Sequence, residues 1–215
     1  MARLGGIIKF IGKLAGLISY RIGKVYYLRT APKKKGKRYR VHPNTKRGND
    51  DFGEASRVAK RIRTAFKQEF ELIHSGGLHS HMSGLLIALA KLDPAPAGSR
   101  NTDVGLETAE GQRMFRDFRF QADKRLHPKL RSACIRDGKI YVIAEPHARR
   151  PYHLTEGVID LRNGDYLRQD HRHLDFRTAE IILEHPLPAV QGHTHFLMIS
   201  GERFVQGVVV VEDPG

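Results

Sequence analysis

Twelve histidines in 215 residues include three His-X-His pairs, His79/His81, His171/His173 and His193/His195. On a strand, residues two apart project from one face, so such a pair can offer two imidazoles to one zinc or iron ion. The last pair is the best placed, because Gly192-His193-Thr194-His195 opens an apolar run and Glu202 follows seven residues on. His193 and His195 are therefore the candidate ligands, although the acid lies further away than in a cupin-type motif and no third histidine is placed. Nucleophile chemistry has less to stand on. The single cysteine, Cys134, sits in an apolar strand context and is read as a small core residue rather than a reactive thiolate. Gly-X-Ser-X-Gly, a Walker loop and a dinucleotide fingerprint are all absent. No cofactor is expected.

The stronger chemical signal is charge. Lys and Arg number 37 against 23 Asp and Glu, a formal net charge of +14. Residues 1–70 hold 19 cations and 4 acids, while 71–215 are close to balanced. The densest run is Lys33-Lys34-Lys35-Gly36-Lys37-Arg38-Tyr39-Arg40, followed by Lys46 and Arg47. Cations crowded in this way repel one another unless phosphates or counterions neutralise them, so the pattern points to a polyanion. Tyr39 can stack on a base, and Arg57, Lys60, Arg61 and Lys67 can follow a phosphate backbone. No base-reading module is present, so binding is expected to ignore sequence.

Elements that position these groups can be read from periodicity. Leu17–Tyr20 and Lys24–Arg29 form a β-hairpin about residues 21–23. Residues 4–18 can also be drawn as an amphipathic helix with Lys9 and Lys13 one turn apart, a membrane-surface reading that its glycines weaken. Asp51 and Glu54 fit a capping box ahead of a helix with the stripe Ala55, Val58, Ala59, Ile62, Ala65, Phe66, Phe70 and Ile73. A second helical stretch carries Leu78, Met82, Leu85, Leu86, Leu89 and Leu92 until Asp93-Pro94 stops it. From about residue 113 the period becomes two: Phe115, Phe118 and Phe120 start an aromatic strand, and Asp137-Gly138 and Asn163-Gly164 mark hairpin turns. About seven or eight short strands follow, as an antiparallel β-sandwich requires.

The segment Gly16-Leu-Ile-Ser-Tyr20-Arg-Ile-Gly23-Lys-Val-Tyr26-Tyr27-Leu-Arg29-Thr-Ala31-Pro32 resembles the N-terminal signature of small uncharacterised proteins of Bacteroidota. Residues 49–56, ahead of Arg61-Ile62-Arg63, and the closing 196–207 stretch extend the likeness. The resemblance implies a basic N-terminal region, a helical middle and an immunoglobulin-like C-terminal domain. It implies no activity.

The expected architecture is α+β, with a basic hairpin and arm over 1–50, a helical hairpin over 51–97 and a β-sandwich over 110–213. The expected function is non-enzymatic: a basic binding or scaffold protein that attaches to nucleic acid or another polyanion through its N-terminal third and offers the sandwich to a protein partner. The alternative is a metal-dependent enzyme built on the His-X-His pairs. No run approaches the roughly 18 uninterrupted apolar residues of a membrane span, and a cytoplasmic location is expected.

Overall fold

The computed structural model describes residues 2–3, 11–31, 41–73, 77–120, 129–145, 152–171, 178–201 and 204–212. The chain divides into two compact units, residues 1–42 and 43–215.

The first unit is a small antiparallel sheet of β1 (Ala2–Arg3), β2 (Gly12–Leu14), β3 (Leu17–Ile22) and β4 (Val25–Thr30), in the order β1-β4-β3-β2. Leu14 pairs with Leu17 across the two-residue turn Ala15-Gly16, both at positive φ, the conformation that matches strand twist in a tight hairpin. The amphipathic-helix drawing of residues 4–18 is thus corrected over its described part. Gly12 and Gly16 adopt positive φ, which a helix interior forbids. The expected β3/β4 hairpin forms, but its turn is Gly23-Lys24 rather than residues 21–23: Arg21 and Ile22 extend β3, with Ile22 opposite Val25 and Tyr20 directly opposite Tyr27. Among the described residues of this unit only Ser19 is buried.

The second unit begins with helices α1 (Pro43–Ala65), α2 (Lys67–Glu71), α3 (Leu78–Ala90), α4 (Thr102–Glu107) and α5 (Ala109–Asp117). α1 starts eight residues before the expected cap at Asp51. Pro43 tolerates the first helical position because its missing N–H has no partner there in any case. Asp51 instead accepts from the backbone N–H groups of Gly98 at 2.8 Å and Arg100 at 3.4 Å, and Glu54 accepts from the Thr102 hydroxyl at 2.7 Å. These tertiary bonds hold a polar, glycine-containing stretch helical against its own propensity. The expected stripe of α1 is buried at Ala55, Val58, Ala59, Ile62 and Ala65, against Met82, Leu86 and Leu89 of α3.

Phe115 lies in α5, which corrects the expected aromatic strand. The Thr108 side chain caps this helix by accepting from Gly111 N–H at 3.0 Å, a signal that outweighs the cluster of phenylalanines. Phe115, Phe118 and Phe120 pack edge to face and join Phe66, Phe70 and Phe196 in one core.

Among the described residues eight strands follow: β5 (Leu130–Arg136), β6 (Lys139–Ala144), β7 (His153–Ile159), β8 (Tyr166–His171), β9 (Glu180–Leu183), β10 (Thr194–Gly201), β11 (Phe204–Val209) and β12 (Val211–Glu212). They form two sheets, β11-β10-β7-β8 and β12-β5-β6-β9. Every pairing is antiparallel except the short β12/β5 contact. Asp137 and Gly138 take positive φ in the β5/β6 turn, and Gly164 does so between β7 and β8. Phe196, Met198 and Val205 of the first sheet face the helices. Leu154, Leu197, Ile199 and Val208 turn the other way, into a cluster with Leu130, Ile140, Val142 and Leu183 of the second sheet. The fold is α+β.

Candidate functional site

The cations at issue fall into three groups. Lys33, Lys34, Lys35, Lys37, Arg38, Tyr39 and Arg40 lie outside the described residues. Lys46, Arg57 and Lys60 are exposed and share the face of α1 opposite its buried stripe, a line spanning roughly 20 Å at 1.5 Å per residue. The remaining helix cations are engaged elsewhere. Arg61 donates from Nη1 to the Leu161 carbonyl in the β7/β8 loop. Lys67 pairs with Glu71 at 3.7 Å on the surface, and the Arg47 stem lies against Gly98. Arg57 stands near Glu54, whose carboxyl is raised because burial outweighs its hydrogen bond from Thr102.

In the first unit, Lys13, Ile18 and Arg29 form one cross-strand row, and Tyr20 and Tyr27 form the next on the same face. The two tyrosine rings stack with centroids 5.7 Å apart and planes 21° apart. The Arg29 guanidinium lies over the Tyr20 ring at 5.7 Å.

The histidines converge differently from the expected pairs. His195 and His171 meet across β7 rather than along one strand. Glu156, fully buried in the centre of that strand, accepts from His195 Nε2 on Oε1 and from His171 Nε2 on Oε2, both at 2.7 Å. The Leu187 N–H adds a third bond to Oε1 at 2.7 Å. Burial pushes the Glu156 carboxyl up, but these donors outweigh it and hold the pKa at about 2. His193 lies outside β10, with Nδ1 3.3 Å from the Gln191 carbonyl. His193 and His195 therefore do not come together: only His195 reaches the cluster, and His193 precedes the first residue of β10. His173 lies outside the described residues, and His79 and His81 sit exposed on α3. Among the described residues no group of three His, Cys, Asp or Glu side chains is arranged to hold a metal ion.

The opposite face of β7 carries a second buried carboxylate. Glu69 of α2 accepts on Oε1 from the Thr155 hydroxyl at 2.7 Å and from Arg168 Nη2 at 2.9 Å, and Arg168 also reaches Gln68 and Asp170 at 2.9 Å. Such a network locks helix to sheet, since buried charge is tolerated only when paired. Cys134 is half-buried in β5, in keeping with a packing role.

Sequence reasoning missed Glu156, His171 as its partner, and the Tyr20/Tyr27/Arg29 cluster. One signal for Glu156 was present: a lone carboxylate inside the strand His-Leu-Thr-Glu-Gly-Val-Ile needs buried donors. No family model, curated protein or solved structure matches the chain. Among the described residues no helix is long and apolar enough to cross a membrane.

Proposed function

We propose that this protein is a non-enzymatic polyanion-binding protein, with nucleic acid as its partner, attached through the cations of its N-terminal third. The observation that carries the reading is the charge of the first unit: residues 1–42 hold 12 Lys and Arg and no Asp or Glu. A unit of this size with one buried described residue has little core of its own, and neutralisation by phosphates offsets its self-repulsion. The exposed line of Lys46, Arg57 and Lys60 on α1 adds further cations. The two sheets of the second unit, which share one apolar cluster, are read as the antiparallel β-sandwich that the strand spacing implies, immunoglobulin-like by the resemblance alone, with a surface for a protein partner.

The alternative, a metal-dependent enzyme on the histidine pairs, has one observation behind it, the meeting of His171 and His195 at Glu156. That arrangement uses both Nε2 atoms as donors to opposite oxygens of one carboxylate, which is what a structural ion cluster does. The polyanion reading is favoured.

A salt titration of fluorescent DNA and RNA binding tests it. With about six phosphates neutralised on duplex DNA, log K falls against log salt with a slope of about −5. Lys33/Lys34/Lys35→Ala reduces that slope by roughly half. A flat salt dependence, or equal affinity in the variant, removes nucleic acid from the reading.

A further inference from the structure

We infer that the face of the first unit's sheet bearing Tyr20, Tyr27, Arg29 and Lys13 is a stacking platform for single-stranded nucleic acid. The inference rests on the polyanion reading above and names the ligand class more narrowly.

Three observations carry it. Tyr20 and Tyr27 are directly opposite one another on adjacent strands, ring on ring at 5.7 Å, and both remain partly exposed. Partly exposed aromatic rings beside cations, with the strands fixing their spacing, are a means by which unpaired bases are gripped without regard to sequence. Next, the same face supplies charge beside the rings: Arg29 sits over Tyr20, and Lys13 belongs to the neighbouring cross-strand row through Ile18. Both cations are exposed, so a phosphate can reach them while its base meets a ring. Finally, the unit contains no carboxylate to oppose a polyanion at any point of the face.

A duplex cannot use the rings of such a platform, since its base faces are already stacked on one another and only base edges and the sugar-phosphate backbone are presented. The line of Lys46, Arg57 and Lys60 on α1, by contrast, offers charge without rings and does not discriminate between the two forms. The predicted signature is thus a split. Tyrosine substitutions act on single strands, and lysine or arginine substitutions act on both ligands.

The experiment measures binding of the full chain to a short fluorescent oligouridylate and to a mixed-sequence DNA duplex, by polarisation at matched salt. Tyr20→Leu/Tyr27→Leu is expected to weaken the single strand by about tenfold or more and the duplex by less than about twofold. Tyr20→Phe/Tyr27→Phe keeps the rings and is expected to retain affinity. Unchanged single-strand affinity in the Leu variant, or an equal loss on both ligands, overturns the platform while leaving the polyanion reading intact. Failure of the wild type to bind either ligand overturns both. Should the Leu variant lose its strand signal in circular dichroism, photo-cross-linking of wild type to oligouridylate decides instead: adducts at Tyr20 or Tyr27 support the platform, and adducts confined to other residues overturn it. Flotation with phosphatidylserine vesicles that oligouridylate does not compete away assigns the face to lipid, and this also overturns it.

Discussion

His195 donates its Nε2–H to the Oε1 atom of Glu156 at 2.7 Å, although 39 residues separate the two. The bond runs diagonally across the β10/β7 ladder, where His195 is opposite Val158 and Leu197 is opposite Glu156. His171 reaches the other oxygen from β8, so one carboxylate ties three neighbouring strands together. Through the Leu187 N–H it also anchors the segment that leads from β9 to β10.

The first prediction concerns acid stability. Glu156 titrates at about 2 in the folded chain against an ordinary 4.5. A depressed carboxylate contributes stability that is fully present above the unfolded value and is lost as pH falls through the folded one. Urea melts followed by circular dichroism should therefore show stability declining between pH 4.5 and about 2, by about 3 kcal/mol from this group. Glu156→Gln should cost about 3 kcal/mol at pH 7 by leaving buried donors without their charge, and should flatten the acid limb. A wild-type limb as flat as the variant's contradicts the account.

Arg61 and Lys60 are adjacent on α1 but should behave as opposites. Arg61→Ala removes a bond to the Leu161 carbonyl and should lower stability by about 1–2 kcal/mol, leaving the salt slope of nucleic-acid binding unchanged. Lys60→Ala should leave the melting curve in place and reduce the slope by about 1. Paired melts and salt titrations of the two variants separate the roles.

Two glycines in the helical layer should respond to alanine with opposite signs. A Cβ at Gly105 would stand 2.1 Å from the Leu89 carbonyl oxygen, a backbone atom with no freedom to retreat, so Gly105→Ala should destabilise by more than about 2 kcal/mol. Gly84 lies on the exposed side of α3 with nothing within 4 Å of such a Cβ. Gly84→Ala should raise stability by about 0.5–1 kcal/mol. Denaturant midpoints for the pair give the answer.

Gln206 is a buried side chain that joins layers. Its Oε1 accepts from Leu130 N–H at 2.9 Å, and its Nε2 donates to the Arg116 carbonyl at 2.9 Å at the end of α5. Gln206→Leu keeps the volume and orphans both groups, so a loss of about 2–4 kcal/mol is expected. A loss no larger than that of an exposed control such as Gln191→Leu would mean that water replaces the side chain.

Local information was enough for several features. The Asp137-Gly138 turn and the stripe from Ala55 to Ala65 were legible because each depends on neighbours within a few residues: two positive φ values in one case, a 3.6-residue period in the other. The concentration of cations before residue 70 needs no fold at all. Phe115 misled because it stands just ahead of Phe118 and Phe120, whose spacing of two resembles a strand, while the competing signal was the single capping Thr108. Asp51 misled for a different reason. Its carboxylate serves the backbone of Gly98 and Arg100, 47 and 49 residues away, rather than a local cap, and α1 begins at Pro43. The Glu156 cluster was beyond sequence reasoning because strand register is a tertiary property. Only the pairing of β8 with β7 and β7 with β10 brings residues 156, 171 and 195 onto one face, and a slip of one residue would send each to the other side. Charge and period belong to the chain as written, whereas partners across a sheet exist only once the strands have chosen their neighbours.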